Sequence, residues 1–264
     1  MKNKKITALY YSPTHTSAKI CHGIAGSISP KGHTLNDCEI TFDDQSDGLI
    51  FSADDIVVVS VPVYCGRVAP VAVERLSKYR GNNTPAIAVV VYGNRDYDDA
   101  LLELCDILKD SGFTPIAAAA FIGEHSYSRA EMPTAEGRPD IADIAAASIF
   151  GEQCIEKLNF YNSLVDMPEL KVKGNSPYFV VNHSAPTAPV VNETQCVQCG
   201  FCIDNCPVEA ISYRDGTIFC STDLCTKCCR CVKECPENAM TFVTPYTEIL
   251  HTKFALRREP ETFI

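Results

Sequence analysis

The chain has 264 residues, of which 46% are hydrophobic and 21% charged, a composition typical of a folded protein and not of a disordered one. Its length suits about two domains, and its net charge of -10 argues against nucleic acid or an anionic membrane as the main partner. Only a short apolar stretch follows the basic start, and no run approaches the roughly 18 apolar residues of a membrane span. A cytoplasmic protein is therefore expected.

Short apolar runs alternate with amphipathic helical stretches between residue 4 and about residue 160. The runs lack a polar alternation, which is typical of parallel strands that are buried on both faces. The predicted strands are 6–11, 34–42, 56–63, 86–92 and 114–122, and the predicted helices are 17–28, 71–79, 98–111 and 140–160. Five such strands predict an α/β domain over residues 1–164, with a doubly wound parallel sheet in the order 2-1-3-4-5.

The composition changes in residues 165–191. Four prolines, with Gly174 and Asn175, interrupt any regular element, so a linker that lies over the surface is expected. Residues 192–243 follow as a small module. Residues 244–264 form a tail for which two roles remain open, covering the module and binding a partner.

The module contains an internal repeat. A shift of 29 residues superposes the four cysteines of one run on those of the next, and Pro207 on Pro236. Between the runs, residues 212–219 predict a hairpin that turns at Asp215 and Gly216. Two similar halves, each with a strand pair and a helix, are expected in an α+β fold.

Cysteines are concentrated in this module: ten of the 15 lie between residues 196 and 235. Without a secretory signal this distribution indicates metal ligation and not a disulfide framework. Each half carries the run C-x2-C-x2-C-x3-C-P. Three close sulfurs can hold three corners of one iron–sulfur cubane, while the cysteine before proline supplies the other cluster. The first [4Fe–4S] cluster is expected on Cys196, Cys199, Cys202 and Cys235, and the second on Cys225, Cys228, Cys231 and Cys206.

These runs resemble those of the bacterial two-cluster ferredoxins throughout residues 192–243. Structural zinc is the weaker alternative, because it usually uses separated C-x2-C pairs. Cys220 and Cys229 fall outside the repeat and are expected not to be ligands.

A hydroxyl-rich loop follows the first predicted strand and opens a helix. It lacks the glycines of a dinucleotide fingerprint and the Gly-Lys of a nucleoside triphosphate loop. Backbone N–H groups at the positive end of a helix favour a phosphate, and hydroxyls add neutral donors. The candidate phosphate-binding residues are Ser12, Thr14, His15, Thr16 and Ser17.

With this loop the N-terminal half resembles a flavodoxin, whose loop after strand 1 holds the phosphate of FMN. The sequence departs from that pattern at His15, where a small residue, usually Gly, is expected, and at Ser17, which replaces Thr but keeps the hydroxyl. The resemblance implies an FMN site. A helix N-cap alone is the alternative for the loop.

Two further loops follow the third and fourth predicted strands. Each places a Tyr and a Gly at the carboxyl edge of the sheet, where ligands bind in this fold and where the loops would bracket an isoalloxazine ring. Tyr64 and Tyr97 are candidates to stack on the ring, and Gly66 and Asn94 to hydrogen-bond its edge. The candidate ring-contacting residues are Pro62, Tyr64, Gly66, Tyr92, Gly93, Asn94 and Tyr97. After the fifth strand, Glu124 and His125 are candidate proton donors, with a solvated loop as the alternative.

The whole chain resembles a family of anaerobe ferredoxins that carry an N-terminal flavodoxin-like domain. The resemblance rests on residues 60–67, 92–97 and 121–126 together with both cysteine runs. It implies FMN, two [4Fe–4S] clusters and electron transfer in anaerobic metabolism, between two-electron and one-electron redox partners. The identity of those protein partners and the oligomeric state are left open.

Two alternatives remain at this stage. One is a flavin-dependent reductase of a small molecule that the ferredoxin module supplies with electrons. The other is a ferredoxin whose flavodoxin-like domain no longer binds flavin. An electron carrier is favoured over a substrate-specific oxidoreductase because no substrate-specific motif is visible.

Overall fold

The computed structural model describes residues 5–29, 34–42, 47–181 and 187–264. The basic residues 1–4, and residues 182–186 of the predicted linker, lie outside the described part of the chain.

The described residues form short and long elements in alternation. The strands are β1 (Lys5–Tyr10), β2 (Leu35–Glu39), β3 (Ile50–Phe51), β4 (Asp55–Tyr64), β5 (Arg67–Val68), β6 (Arg80–Gly81), β7 (Thr84–Tyr92), β8 (Phe113–Ile122), β9 (Val190–Val191), β10 (Ile211–Arg214), β11 (Thr217–Cys220), β12 (Met240–Thr241) and β13 (Glu261–Phe263). The helices are α1 (Thr16–Ile28), α2 (Pro70–Leu76), α3 (Ala100–Asp110), α4 (Ile141–Phe160), α5 (Phe201–Asp204), α6 (Arg230–Lys233) and α7 (Pro245–Lys253). None of these helices combines the length and the apolar character needed to cross a membrane.

The main sheet carries five parallel strands in the order β2-β1-β4-β7-β8. Counted among these five alone, the order is 2-1-3-4-5, so the predicted flavodoxin-like, doubly wound fold is confirmed. β7, at the centre, is buried at every position, because helices cover both faces of the sheet. β2 alternates between exposed and half-buried positions, as expected of a strand at the edge.

Alternate residues of the central strands face two separate cores. Leu9 and Val57 lie in the core beneath α2 and α3, whereas their neighbours Ala8 and Val58 lie in the core beneath α1 and α4. Because the five strands are parallel, their carboxyl ends lie at the same edge of the sheet. The loops of the candidate cofactor site follow these ends.

The tail adds a strand to the free edge of this sheet, a role that was not among the two considered from the sequence. β13 pairs antiparallel with β8, with Phe263 opposite Ala118. The Asn94 amide donates to the carbonyl of Leu256 at 2.9 Å, and Arg138 donates to that of Arg258 at 2.7 Å. The tail is thus fixed to the N-terminal sheet at several points.

Part of the predicted linker lies against the start of α3. The buried carboxylate of Asp99 accepts hydrogen bonds from the backbone N–H groups of Asn175 and Phe179, at 2.8 and 2.9 Å. Residues 175–179 therefore lie against the sheet domain. The end of the segment departs from the expected lack of regular elements, because Val190 and Val191 form β9, which pairs antiparallel with β12. The domain boundaries themselves stay a prediction.

Helices α1 and α4 pack closely where Gly151 faces α1. A Cβ at Gly151 would lie 2.2 Å from Ser27 Oγ and 2.7 Å from the Ile24 carbonyl oxygen, whereas a Cβ at Gly26 meets nothing within 4 Å. We expect Gly151→Ala to lower the free energy of unfolding by about 1–3 kcal/mol. We expect Gly26→Ala to raise the free energy of unfolding by up to about 1 kcal/mol, because Ala has a higher helix propensity than Gly at an exposed position. Thermal unfolding followed by circular dichroism measures both changes, and a Gly151→Ala variant as stable as the unmodified chain would contradict this packing.

Candidate functional site

The two cysteine runs adopt the same backbone conformation. α5 begins after Gly200 at φ 77°, and α6 begins after Cys229 at φ 59°, both in the left-handed region. Other left-handed pairs with the same spacing are Gln198 with Lys227 and Glu209 with Asn238. The sequence repeat is therefore a structural repeat, and Cys229 occupies a position where its counterpart is glycine.

The predicted hairpin between the runs is confirmed. β10 and β11 pair antiparallel, with Arg214 opposite Thr217. Asp215 and Gly216 form the turn at φ 50° and 82°. Two positive φ values suit a turn of the primed type, which matches the twist of the paired strands.

The repeat brings the cysteines around two cavities. The cysteines that line the first cavity are Cys196, Cys199, Cys202 and Cys235. The cysteines that line the second are Cys206, Cys225, Cys228 and Cys231, with Cys220 and Cys229 beside them. Each cavity thus combines three cysteines of one run with the last cysteine of the other, the grouping that the sequence predicts. Their role as ligands stays a prediction.

The cysteines surround these cavities and do not meet at a point. Within the described ranges, no group of three His, Cys, Asp or Glu side chains is arranged to hold a single metal ion. Backbone donors nevertheless point at three sulfurs. Cys206 and Cys235 each accept a hydrogen bond from an alanine N–H four residues later, at 3.2 and 3.3 Å, and Cys225 accepts the Lys227 N–H at 3.4 Å. Such bonds favour the charged form of a sulfur ligand.

The two cavities differ in their surroundings. The first includes Cys199, which is exposed. The described lining of the second runs from Pro189 to Cys231, and its Cys228 is only 9% exposed. Burial raises the pKa of Tyr11 and of Tyr64 above the ordinary value, and the nearby Cys228 raises both further. Tyrosines from the ends of β1 and β4 therefore lie beside the second cavity.

Two arginines fix the module to the sheet domain in a reciprocal arrangement. Arg75 of α2 donates to the carbonyl of Pro207 at 2.5 Å, directly after Cys206. Arg230 of α6 donates to the carbonyl of Pro13 at 2.6 Å. Both arginines are at least 90% buried. These bonds hold the second cavity against the strand ends.

Lysine and histidine contacts extend this interface. Lys233 pairs with the carboxylate of Glu124 and also donates to the Ser128 carbonyl at 2.7 Å. His15 Nε2 lies 2.8 Å from Glu234 Oε1. The candidate phosphate loop and the loop after β8 therefore both contact α6 and the residue that follows it.

Within the candidate phosphate loop, Ser12 has a structural role. Its N–H donates to Thr41 Oγ1 at 2.8 Å, and its Oγ accepts the Ala18 N–H at 3.0 Å, which caps α1. Ser17 differs, because its hydroxyl is buried and has no hydrogen-bond partner among the described residues. Thr14 and Thr16 are half-buried. The loop thus contains a cap and, beside it, polar groups without partners.

His15 takes the left-handed conformation that favours glycine, at φ 63°. Its ring is 55% exposed and lies on Glu234, so the side chain extends away from the buried part of the loop. The backbone therefore has the conformation that the flavodoxin-like pattern requires, and the Cβ and ring of His15 are accommodated outside it.

The candidates for ring contact separate into two groups. Tyr64 is half-buried at the end of β4, Pro62 lies two residues earlier on the same strand, and Gly66 forms the following turn at φ 74°. A Cβ at Gly66 would lie 2.2 Å from Asp98 Oδ2, so only glycine fits there. Tyr64 lies close enough to Cys228 of the second cavity for that thiol to raise its pKa. Tyr64, Pro62 and Gly66 remain the candidates for contact with a planar ring.

The second group consists of residues that the structure places in the core or under the tail. Tyr97 is 0% exposed, packs on Tyr92 with ring centroids 5.5 Å apart, and donates its hydroxyl proton to Glu261 at 2.7 Å. Asn94 is 1% exposed and holds the tail. Gly93 allows the close packing of His125, whose Cδ2 would lie 2.3 Å from an added Cβ.

The two candidate proton donors are both engaged. His125 Nδ1 accepts the Tyr127 N–H at 3.0 Å, and Glu124 accepts the Gly137 N–H at 3.1 Å in addition to its pairing with Lys233. Burial, together with the charges of Lys233 and Arg95, lowers the pKa of His125 to about 4. The ring is therefore neutral at neutral pH and does not carry a proton to donate as an imidazolium.

This pKa predicts an acid sensitivity. Between pH 6.5 and 4 the unfolded chain binds a proton at His125 that the folded chain does not, so the free energy of unfolding falls as the pH falls. We expect the loss between pH 7 and pH 5 to be about 1–2 kcal/mol smaller in His125→Asn than in the unmodified chain. Urea unfolding at the two pH values measures it. Equal losses in both proteins would show that His125 is not held neutral.

Sequence reasoning missed the two interface arginines. Arg230 occupies the repeat position of Phe201, and a charged residue in place of an apolar one is a signal that could have marked it. Arg75 lies among Ala72 and Leu76 on the apolar face of α2, where a charge needs a buried partner. Those partners are carbonyls distant in sequence, which no local pattern identifies.

The 4Fe-4S binding domain family matches residues 189–212, which contain the first cysteine run. None of the curated proteins matches the chain.

Among solved structures, a flavodoxin from the domain Archaea is 12% identical, with a TM-score of 0.38, over 59% of this chain and 99% of its own. The oxidised flavodoxin 1 of Bacillus cereus is 13% identical, with a TM-score of 0.39, over 58% of this chain and 98% of its own. A rubredoxin oxygen:oxidoreductase from the anaerobe Desulfovibrio gigas is 16% identical, with a TM-score of 0.41, over 60% of this chain and 38% of its own.

Proposed function

We propose that the chain is an electron-transfer protein that carries two [4Fe–4S] clusters in its cysteine module and FMN at the carboxyl edge of its sheet. The observation that carries this proposal is a contact of the second cysteine cavity with the sheet edge: Arg230, which lines that cavity, donates to the carbonyl of Pro13 in the loop after β1. Flavodoxin-like folds bind ligands at this edge. A cluster and a flavin at these two places would be neighbours. Their arrangement suits transfer between two-electron and one-electron redox partners.

The cluster assignment is supported by the interleaved grouping of the cysteines. A single ferredoxin-type run cannot surround a cubane alone, because its last cysteine points toward the other site. The lining of the two cavities supports this exchange, with Cys235 in the first group and Cys206 in the second. The module is also too small to be stabilised by its apolar core alone, so bound clusters would stabilise it.

The FMN assignment is supported by the polar groups that the phosphate loop leaves without partners. The Ser17 hydroxyl is buried and unpaired among the described residues. The N–H groups of the first turn of α1 have no carbonyl partner in a helix. Thr14, Thr16 and Ser17 would hold the phosphate, and Tyr64 with Gly66 would contact the ring. These residues fit the group that the fold implies.

When bound, FMN exchanges two electrons and each cluster exchanges one, so the three centres together can connect partners of both kinds. The packing of the two modules would determine which cluster lies next to the flavin and which lies at the surface. Cys199 brings the first cluster site to the surface, where a redox protein can dock. The negative charge of the chain, -10, favours a partner with a basic docking surface.

Of the two alternatives, the reductase depends on a proton donor beside the flavin. His125 is held neutral and Glu124 is paired with Lys233, so neither side chain favours that function. The alternative without flavin depends on His15 blocking the loop. The exposed ring of His15 on Glu234 argues against such a block.

Reductive titration without oxygen tests the proposal. With dithionite, we expect the chain to take up about four electrons, two at the flavin and one at each cluster. Added in small steps, the electrons should distribute between flavin and clusters according to their potentials, as followed by absorbance. If flavin and clusters reduced independently and never exchanged electrons, a joint role in electron transfer would be contradicted.

A further inference from the structure

Arg230 brings a buried positive charge from the cysteine module to the phosphate loop. Its side chain is 7% exposed, and its guanidinium lies 2.6 Å from the Pro13 carbonyl oxygen and 3.4 Å from His15 Nε2. The repeat position in the other half is Phe201, so the cluster fold itself does not require a cation here.

The neighbouring side chains do not satisfy every hydrogen-bond donor of the Arg230 guanidinium. Its Nη2 pairs with Glu234 at 3.1 Å and lies 3.4 Å from Asn205 Oδ1. The same Glu234 also accepts from His15, so two basic side chains share one carboxylate. The buried Nε of Arg230 has no partner in the part of the chain that the structure describes. An unpaired donor on a buried charge is costly unless a ligand satisfies it.

A second unpaired group lies on the other side of the contact. The Ser17 hydroxyl is fully buried in the first turn of α1 and has no partner among the described residues. The arginine with the unpaired nitrogen therefore contacts, through Pro13, the loop that carries the unpaired hydroxyl and the positive end of a 13-residue helix. This combination suits a phosphate dianion.

We propose that Arg230 binds the phosphate of FMN, so that the cysteine module completes the flavin site of the sheet domain. The inference rests on the proposed function, because it assumes that FMN is the ligand of this loop. It adds that the chain selects FMN over riboflavin by a charge from the other module. Flavin affinity then depends on the docked cluster module, and the two cofactor sites are built together.

Lys233 offers a matched control on the same helix. It carries the same charge and contacts the sheet domain, but its partners are Glu124 and the Ser128 carbonyl, away from the phosphate loop. Lys233→Gln and Arg230→Gln therefore remove the same charge from α6 at two different contacts. Arg230→Lys keeps the charge and loses only the planar fork of donors.

The experiment measures the Kd of FMN and of riboflavin by fluorescence quenching, on the full chain with its clusters intact and its flavin removed. Iron content is checked in every variant. We expect Arg230→Gln to weaken FMN binding by about tenfold or more and to change riboflavin binding by less than about twofold. Arg230→Lys should keep part of the preference for FMN, and Lys233→Gln should keep all of it. Inorganic phosphate should compete with FMN in the unmodified chain more strongly than in Arg230→Gln.

The ratio of the two affinities separates a phosphate ligand from a structural residue. If Arg230→Gln weakens FMN and riboflavin equally, or weakens neither, the inference is overturned while the proposed function stands. If the unmodified chain binds neither flavin, the proposed FMN site fails as well. If Lys233→Gln lowers the preference for FMN as much as Arg230→Gln does, the effect belongs to the charge of α6 in general, and the assignment to Arg230 is overturned.

Discussion

The Cys206→Ala variant should retain about four of the eight iron atoms expected per chain, because one cluster loses a ligand and the other keeps all four. The lost cluster should be the second, although Cys206 belongs to the first run in sequence. Iron and sulfide analysis of protein purified without oxygen measures the loss. The size of the effect follows from the chemistry of a cubane, which is unstable when one of its four corners lacks a thiolate.

Double variants distinguish the interleaved arrangement from the simpler one in which each run holds its own cluster. Cys206→Ala with Cys228→Ala affects one cavity only, so about four iron atoms should remain. Cys206→Ala with Cys199→Ala affects both cavities, so almost no iron should remain. The opposite pattern would show that each run closes its own cluster. Such a result would contradict the cysteine grouping on which the cluster assignment depends.

Cys229→Ala is the matched control for these variants. Cys229 lines the same cavity as Cys228, but its thiol donates to the Lys227 carbonyl at 3.5 Å, and its backbone takes the place of Gly200. We expect this variant to keep all of its iron. A loss of half the iron in Cys229→Ala would assign it as a ligand and would remove one of the other four.

The second large effect is expected at Tyr64, which the structure separates from Tyr97. Tyr64→Ala should weaken the binding of both FMN and riboflavin by about tenfold, because an aromatic contact with the ring is lost whether or not the phosphate is present. Tyr97→Phe should leave both affinities unchanged. It should instead lower the free energy of unfolding by about 1–3 kcal/mol, since the Glu261 carboxylate loses its hydrogen bond.

Flavin titration and thermal unfolding of the two variants test this separation. Equal affinities in Tyr64→Ala and the unmodified chain would remove Tyr64 from the ring site. Weaker flavin binding in a fully folded Tyr97→Phe variant would return Tyr97 to it. The comparison is informative because the sequence predicts the same role, stacking on the flavin ring, for both Tyr64 and Tyr97.

Local patterns in the sequence were sufficient to predict the sheet and the hairpin. Nearly continuous apolar runs such as 86–92 indicate strands buried on both faces, and β7 is indeed buried throughout. Asp215 and Gly216 indicate a tight turn because both can adopt positive φ. The grouping of the cysteines could also be predicted, since their spacing is fixed by the size of a cubane.

The tail could not be predicted, because its contribution to the sheet depends on contacts distant in sequence. β13 has three residues, too few for a pattern, and it is held by pairing with β8. The tail also contacts the loop after β7. Asn94 and Tyr97 bind the tail through Leu256 and Glu261, contacts that their place after a strand did not suggest, and their contact with a flavin ring stays a prediction.

The interface between the modules was equally out of reach of local patterns. Arg75 and Arg230 each donate to a carbonyl more than 100 residues away. These contacts determine which cavity faces the strand ends, and therefore which cluster would lie next to the flavin. The sequence predicts the cofactors, whereas their order depends on how the modules dock.

The most direct test of the proposed cofactors is the content of flavin, iron and acid-labile sulfide in the chain purified without oxygen. We expect about one FMN, about eight iron and about eight sulfide per chain. Eight iron without flavin, and no uptake of added FMN, would contradict the flavin site and with it the proposed exchange between the two kinds of centre. Little iron together with bound zinc would contradict the clusters themselves.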